Sequence, residues 1–317
     1  MTEGFDIINK AIDDYIKASN LTGEEDLVLM TKLANIILNG KEINFNYKYN
    51  KKYSLKESDK IVNDFLTYLN PYYKEYYEKR KNDGTILFDH HPKTIEAAFS
   101  SYDPIDERRI MYIPLEKNLE DSFTIVHELM HDINMDITME NDARYLYTEG
   151  LSLLGELLFE DFLEERKIKQ CKNPNNRGLY SLKSKAIEVD FNIKLIKTYL
   201  KDGYINTSNL LEILETYPDY YAEDLKSTIY KITYDEELTL DQEQPYIIGG
   251  LIATYMYDRI KTNKNNIMEL FELNQMLKHY NFDQVLDYLE LDYNEQELTN
   301  SSYQKLEEKY KKYLKSR

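Results

Sequence analysis

The sequence is poor in several residue types, and each shortage argues against a class of protein. One of its 317 residues is cysteine, Cys171, so no disulfide can form within the chain. Lys and Arg together number 40 against 57 Asp and Glu, which gives a formal charge of −17. Nucleic-acid binding is therefore not expected, because phosphate contacts need clustered basic side chains.

The chain also lacks a long apolar run. The longest one, around residues 246–257, is too short and too mixed in composition to cross a bilayer. The first ten residues, MTEGFDIINK, have no basic region followed by an apolar stretch, as a secretory signal would. We therefore expect a cytoplasmic protein that binds neither nucleic acid nor membrane, and the composition leaves its oligomeric state open.

What the sequence does have is helical periodicity. Apolar residues at spacings of three and four predict helices over residues 4–18, 24–38 and 54–81. Ser54 and Glu57 form a capping box at the start of the third helix, since each side chain can accept a hydrogen bond from the other's backbone N–H. The chain is thus predicted to be mainly α.

A small sheet is predicted between two helical regions. Short β-type runs occupy residues 85–88 and 110–115, and Pro114 near the end of the second run is typical of an edge strand. Asn118 then caps a further helix, after which the pattern stays helical to the end of the chain. We find no internal repeat and no low-complexity linker.

The segment TIVHELMH, residues 124–131, carries the chemistry. His127 and His131 lie four residues apart and therefore project from one face of a helix, one turn above the other. Two imidazoles so placed can bind one Zn²⁺, and Glu128 can reach the open side of the metal. The flanking apolar residues indicate a buried helix, where such polar groups are costly unless they are paired or metallated.

A catalytic zinc site normally has three protein ligands. The metzincin pattern would place a glycine and a histidine further along, but those positions hold Asn134 and Ile137. A carboxylate on the following helix is the better candidate. Glu149 and Glu156 are seven residues apart and so face the same way, which allows one to bind the metal while the other orients a ligand histidine.

These residues resemble the M3 zinc metallopeptidases, the family of oligoendopeptidase F and thimet oligopeptidase. That family places a strand and a short turn ahead of its metal helix, and here NLEDSFT, residues 118–124, runs directly into the first histidine. Its oligoendopeptidase branch continues with the pattern Glu-x-x-Ser-x-x-x-Glu, which Glu149, Ser152 and Glu156 match. More weakly, residues 271–292 resemble the closing helices of the family.

The resemblance implies a zincin-like helical metallopeptidase domain with a small β-sheet beside the metal helix. This domain is expected over residues 54–317 as one compact unit, preceded by an N-terminal helical segment over residues 1–53. Because most of the N-terminal portion of full-size members has no counterpart, the chain resembles a shortened member.

The resemblance also implies a function, the zinc-dependent hydrolysis of peptide bonds in oligopeptides. One Zn²⁺ per chain would be held by His127, His131 and Glu149, because the first glutamate of the family pattern is its third ligand. Glu128 would be the general base, and Glu156 would support the site from behind the ligands.

The family's C-terminal segment supplies a histidine and tyrosines that stabilise the reaction intermediate. The matching stretch, residues 245–257, has no histidine, and Tyr246 lies near the position where one would fall. Tyr255 matches one of the family's tyrosines, so Tyr255 and Tyr246 are the candidate oxyanion donors. Substrate contact is expected from three further residues of this stretch: Gly249, Gly250 and Tyr257.

Two other readings stay open at this level. The missing histidine is compatible with a non-catalytic peptide-binding or regulatory protein that keeps the fold, although such a protein has no need of Glu128 beside the metal. A structural zinc site fits less well, because those sites usually have four protein ligands rich in cysteine.

Overall fold

The structure, a computed structural model, describes most of the chain. The described residues are 2–21, 23, 27–38, 51–90, 98–103, 108–138, 144–168, 177–238 and 240–262. Cys171, His91, His279 and residues 271–292 lie outside them. No described helix is both long enough and apolar enough to cross a membrane.

The fold is mainly α with a small sheet, as the sequence predicted. In chain order the elements are α1 Thr2–Ala18, α2 Val28–Leu38, α3 Leu55–Leu69, α4 Pro71–Asn82, β1 Ile86–Asp89, β2 Phe99–Asp103, β3 Arg108–Pro114, α5 Glu120–Thr138, α6 Arg144–Glu165, α7 Arg177–Asp202, α8 Thr207–Leu214, a 3₁₀ turn at Asp219–Tyr221, α9 Ala222–Asp235 and α10 Leu240–Thr262.

The chain divides into two compact units, and this division differs from the predicted one. Residues 1–43 and 179–248 form the first unit, while residues 44–178 and 249–317 form the second. Residues 179–248 had been predicted as part of the domain over 54–317. They group instead with the N-terminal helices, because α1 packs against α9. Within the same unit, the Asn9 side chain of α1 forms hydrogen bonds with the backbone N–H and C=O of Ile205.

The predicted helix over residues 54–81 is two helices, α3 and α4. Its start is correct, since Ser54 and Glu57 form the predicted capping box. The helix breaks at Asn70, which has an extended backbone. The side chain of Asn70 caps α4 by accepting a hydrogen bond from the N–H of Tyr72. Pro71 causes the break, because the residue before a proline disfavours helical geometry while proline itself suits the first turn.

The sheet has three strands in the order β1-β3-β2. β3 pairs parallel with β1 and antiparallel with β2, so it is the central strand. The prediction that residues 110–115 form an edge strand is therefore wrong. Pro114 is accommodated because it is the last residue of β3, opposite Asp89, where the ladder ends. β2, for which no strand was predicted, is an edge strand of the described sheet.

The second unit is centred on α5 and α6. α5 packs on α6, on α3 and on one face of the sheet, to which β3 contributes the buried side chains of Met111 and Ile113. α6 is buried around its whole circumference from residue 151 to 163, and its buried surface includes the carboxylates of Glu156 and Asp161. Three phenylalanines, one each from α3, α5 and α6, pack together. The ring centroid of Phe159 lies 5.0 Å from that of Phe65 and 4.9 Å from that of Phe123.

Candidate metal centre

Hydrogen bonds before the first turn of α5 determine where this helix begins. The Asn118 side chain accepts a hydrogen bond from the N–H of Glu120, as its predicted capping role requires. The buried carboxylate of Asp121 accepts hydrogen bonds from the N–H groups of Glu116 and Lys117, at 2.7 and 3.1 Å. These bonds close the turn between β3 and α5, so the histidines on this helix are held relative to the sheet.

His127 and His131 converge with Glu149 across the packed helices α5 and α6. The two Nε2 atoms are 2.9 Å apart, and the carboxylate oxygens of Glu149 lie 3.6 Å from His127 Nε2 and 3.5 Å from His131 Nε2. Ligands held 2.0–2.2 Å from a tetrahedral zinc ion stand about 3.3 Å from one another. The three side chains could therefore hold a metal ion, and their separations are close to those of zinc ligands.

Glu156 lies directly behind His127. Its Oε1 atom is 2.6 Å from His127 Nδ1, and the Ser152 hydroxyl donates a hydrogen bond to the His127 carbonyl at 3.1 Å. Burial by itself would lower the pKa of His127, but the hydrogen bond and charge of Glu156, followed by the charges of Glu149 and Glu128, raise it to about 9. A carboxylate on the far ring nitrogen is the usual partner of a metal-binding histidine, because it leaves Nε2 directed at the metal.

The surroundings of His131 differ from those of His127. Burial and the neighbouring positive charge of His127 lower the pKa of His131 well below its usual value. Its Nδ1 atom is buried and has no hydrogen-bond partner among the residues that the structure describes. A neutral imidazole is the form that binds a metal.

Glu128, the predicted general base, is buried beside His127. It is 6% exposed, and its charge is one of those that raise the pKa of His127. On an α-helix it is rotated by about 100° from His127, so it does not share the helical face of the two histidines. Its role as the base stays a prediction.

Gly150 and Gly249 meet where α10 crosses α6. A Cβ atom built on Gly150 would lie 2.7 Å from the backbone oxygen of Gly249 and 2.9 Å from its Cα atom. The two backbones can approach this closely only because Gly150 has no side chain. Gly249 is thus engaged in helix packing beside Glu149, a role that the predicted substrate contact did not anticipate.

Tyr257 is also engaged within the protein. Its buried hydroxyl donates a 2.7 Å hydrogen bond to Asp161, which in turn pairs with Lys261 at 2.7 Å. The hydroxyl of Tyr257 thus has a structural partner within the protein. Its substrate contact stays a prediction.

The other two tyrosines of this stretch have different neighbours. Tyr255 is buried and accepts a long hydrogen bond of 3.5 Å from the guanidinium of Arg259. Tyr246 belongs to the first unit, where the ammonium group of Lys185 lies 5.0 Å from the centroid of its ring. Their assignment as oxyanion donors stays a prediction, as does substrate contact by Gly250.

Comparison of the sequence with known proteins identifies no relatives. No protein-family model matches the chain, and no curated protein matches it.

The fold, in contrast, matches solved structures. Pz peptidase A, solved with an inhibitor, superposes with a TM-score of 0.58 at 9% identity over 91% of this chain and 57% of its own. A protein assigned as a peptidase from Chlamydophila abortus superposes with a TM-score of 0.58 at 15% identity, over 98% of this chain and 55% of its own. A protein assigned as oligoendopeptidase F from Bacillus anthracis str. Ames superposes with a TM-score of 0.55 at 10% identity, over 98% of this chain and 56% of its own. This chain spans slightly more than half the length of these structures, and over that span it has the helical fold of these peptidases.

Proposed function

We propose that this protein is a zinc-dependent peptidase of the M3 type that hydrolyses oligopeptides. The observation that carries the proposal is the convergence of His127, His131 and Glu149, with Nε2 and carboxylate oxygen atoms within 4.8 Å of one another. The helical fold, shared with solved peptidases, supports the same class of reaction.

The residues present fit a single zinc ion. When bound, the ion would lower the pKa of a water molecule and polarise the scissile carbonyl group. His127 and His131 would bind through Nε2, with the carboxylate of Glu149 as the third ligand. Glu156 holds the His127 ring in the required orientation through Nδ1.

Glu128 performs the proton transfers in the proposed reaction. Its carboxylate removes a proton from the attacking water and then delivers that proton to the nitrogen of the leaving amine. Burial favours this role, since a carboxylate screened from bulk solvent interacts strongly with the groups it faces. Tyr255 is the proposed donor to the oxyanion that forms on the carbonyl oxygen.

The edge strand β2 is the proposed guide for an extended peptide. Its outer edge pairs with no other described strand, and Ser101 and Tyr102 are exposed. A peptide added to this edge would be held by backbone hydrogen bonds, which favours tolerance of many sequences. β3 is not available for this role, because both of its edges are paired.

Two substitutions separate an enzyme from a peptide-binding protein. Glu128→Gln keeps the size of the side chain but removes the base, so we expect unchanged zinc content and turnover lowered by about 10²–10⁴-fold. Glu149→Ala removes a ligand and should lower zinc occupancy as well as activity. Glu164→Gln, on the exposed side of α6, is the matched control.

The measurements are zinc content by elemental analysis and cleavage of a mixed peptide library by mass spectrometry, with and without a chelator. Zinc-loaded protein that binds peptides and cleaves none would establish the rival, a non-catalytic peptide-binding protein. Protein that takes up no zinc after reconstitution would remove the basis of the proposal.

A further inference from the structure

Asp132 directly follows His131 on α5 and has one of the most densely bonded side chains in the second unit. It is fully buried, and the guanidinium of Arg80 binds its carboxylate in a fork, with Nε 2.7 Å from Oδ2 and Nη2 3.1 Å from Oδ1. The hydroxyl of Tyr76 donates to the same carboxylate at 3.1 Å. Because Arg80 and Tyr76 both belong to α4, these bonds link α4 to α5, the metal helix, which carries His127 and His131.

Two strands of the sheet also form hydrogen bonds with Asp132. The Ser100 hydroxyl of β2 lies 3.4 Å from Asp132 Oδ1, and the Arg109 guanidinium of β3 donates to the Asp132 carbonyl at 3.1 Å. Arg80 reaches β3 as well, through a 2.9 Å hydrogen bond to the carbonyl of Arg109. Asp132 therefore bonds to residues of α4, β2 and β3.

The two histidines are thus held in different ways. His127 has its ring oriented directly by Glu156 and its carbonyl bonded by Ser152. His131 has no comparable contact at Nδ1 among the described residues. The groups that hold its turn of the helix are instead those bonded to the next residue, Asp132.

We infer that Arg80 and Asp132 are positioning residues for the metal site, which set His131 in place through the backbone of α5. The inference rests on the proposed zinc site and adds to it the support of the second histidine. Neither residue touches the metal or the substrate, so neither is a catalytic residue. Asp132 also connects α5 to β2, the strand proposed to guide the peptide, through the hydroxyl of Ser100.

The test must distinguish positioning from simple stabilisation. Removing only one partner leaves a buried charge unpaired and strongly destabilises a protein, whereas replacing both with apolar residues is often tolerated. The informative variant is therefore Arg80→Met combined with Asp132→Leu. Arg80→Lys is the second variant, because it keeps the positive charge but loses the two-point fork.

The measurement is the zinc dissociation constant, obtained by competition with a chromogenic chelator, together with the thermal unfolding midpoint. We expect the double variant to remain folded and to bind zinc about 10-fold to 100-fold more weakly, the range typical of residues that orient metal ligands. Arg80→Lys should weaken zinc binding less than the double variant. Lys81→Met is the matched control, since Lys81 lies on the same helix and pairs with Asp59 and Glu78.

The outcomes separate this inference from the proposed function. Parent protein without zinc affinity would refute the zinc site itself. Parent protein that binds zinc, with folded variants that bind it as tightly, would overturn the positioning role alone. If the double variant does not fold, Arg80→Lys decides, because unchanged zinc affinity in that folded variant would equally overturn the inference.

Discussion

The Nδ1 atom of His127 lies 2.6 Å from the Oε1 atom of Glu156, across the packed helices α5 and α6. This contact makes the orientation of one candidate zinc ligand depend on a helix that begins seventeen residues after it. Glu149 lies on the other side of the same ring, 3.6 Å from Nε2. Because Glu149 and Glu156 are seven residues apart on α6, one carboxylate lies beside each ring nitrogen of His127.

Glu156→Gln should weaken zinc binding while leaving the fold intact. Glutamine keeps the size of the side chain but loses the charge that favours the required orientation of the ring. We expect the zinc dissociation constant to rise about 10-fold to 100-fold. Chelator competition measures it, with Glu164→Gln on the same helix as the control, and equal affinities in all three proteins would contradict the orienting role.

Gly150→Ala should destabilise the protein even though alanine is the better helix former. The new Cβ would meet the Gly249 backbone at 2.7 Å, and overpacking of this kind typically costs about 1–3 kcal/mol. Because Glu149 precedes Gly150, zinc affinity should fall as well. Chemical denaturation and chelator competition test both effects. Gly4→Ala in α1 is the control, since its Cβ would meet nothing within 4 Å, and an equal response of the two variants would refute the close-contact explanation.

Tyr257→Phe should reduce stability without reducing peptide cleavage. It removes the hydroxyl that donates to Asp161, and hydrogen bonds to charged groups contribute about 1.5–3 kcal/mol. Denaturant titration gives the free energy of unfolding, and steady-state kinetics gives turnover. Tyr234→Phe, at a side chain that is 74% exposed, is the control. Loss of turnover at full stability would instead identify Tyr257 as a substrate-binding residue.

The stability contributed by Asp121 should depend on pH. Burial raises its pKa to about 6, although the hydrogen bonds from the N–H groups of Glu116 and Lys117 partly lower it. An unfolded aspartate has a pKa of about 3.9, so the folded state binds more protons between about pH 4 and 6. The contribution is therefore complete below about pH 4 and is lost as the pH rises to about 6.

Urea titrations of the parent and of Asp121→Asn across this interval measure the effect. The free energy of unfolding of the parent minus that of the variant should decrease from about pH 4 to about pH 6, because only the parent titrates at this position. A difference that stays constant with pH would show that the carboxyl group has an ordinary pKa in the folded protein.

Local sequence signals predicted much of the fold and part of the site. The Ser54–Glu57 capping box and the Asn118 cap are present as expected, because each involves residues within one turn of each other. The helical register of His127 and His131 was likewise readable from a spacing of four. One misread feature was also local, since Pro71 ends the helix predicted over residues 54–81. Another was nonlocal, because β3 pairs with two strands that no local pattern near Pro114 identifies.

The sequence by itself determined which side chains share a helical face, since a period of 3.6 residues follows from backbone geometry alone. It therefore predicted the pair His127 and His131 and the alignment of Glu149 with Glu156. Only the tertiary structure decided that Arg80 binds Asp132 and that Gly150 meets Gly249. Those contacts join residues 52 and 99 positions apart. They form because α4 and α10 pack beside the central helices α5 and α6, and that packing depends on the whole set of buried surfaces rather than on any single segment.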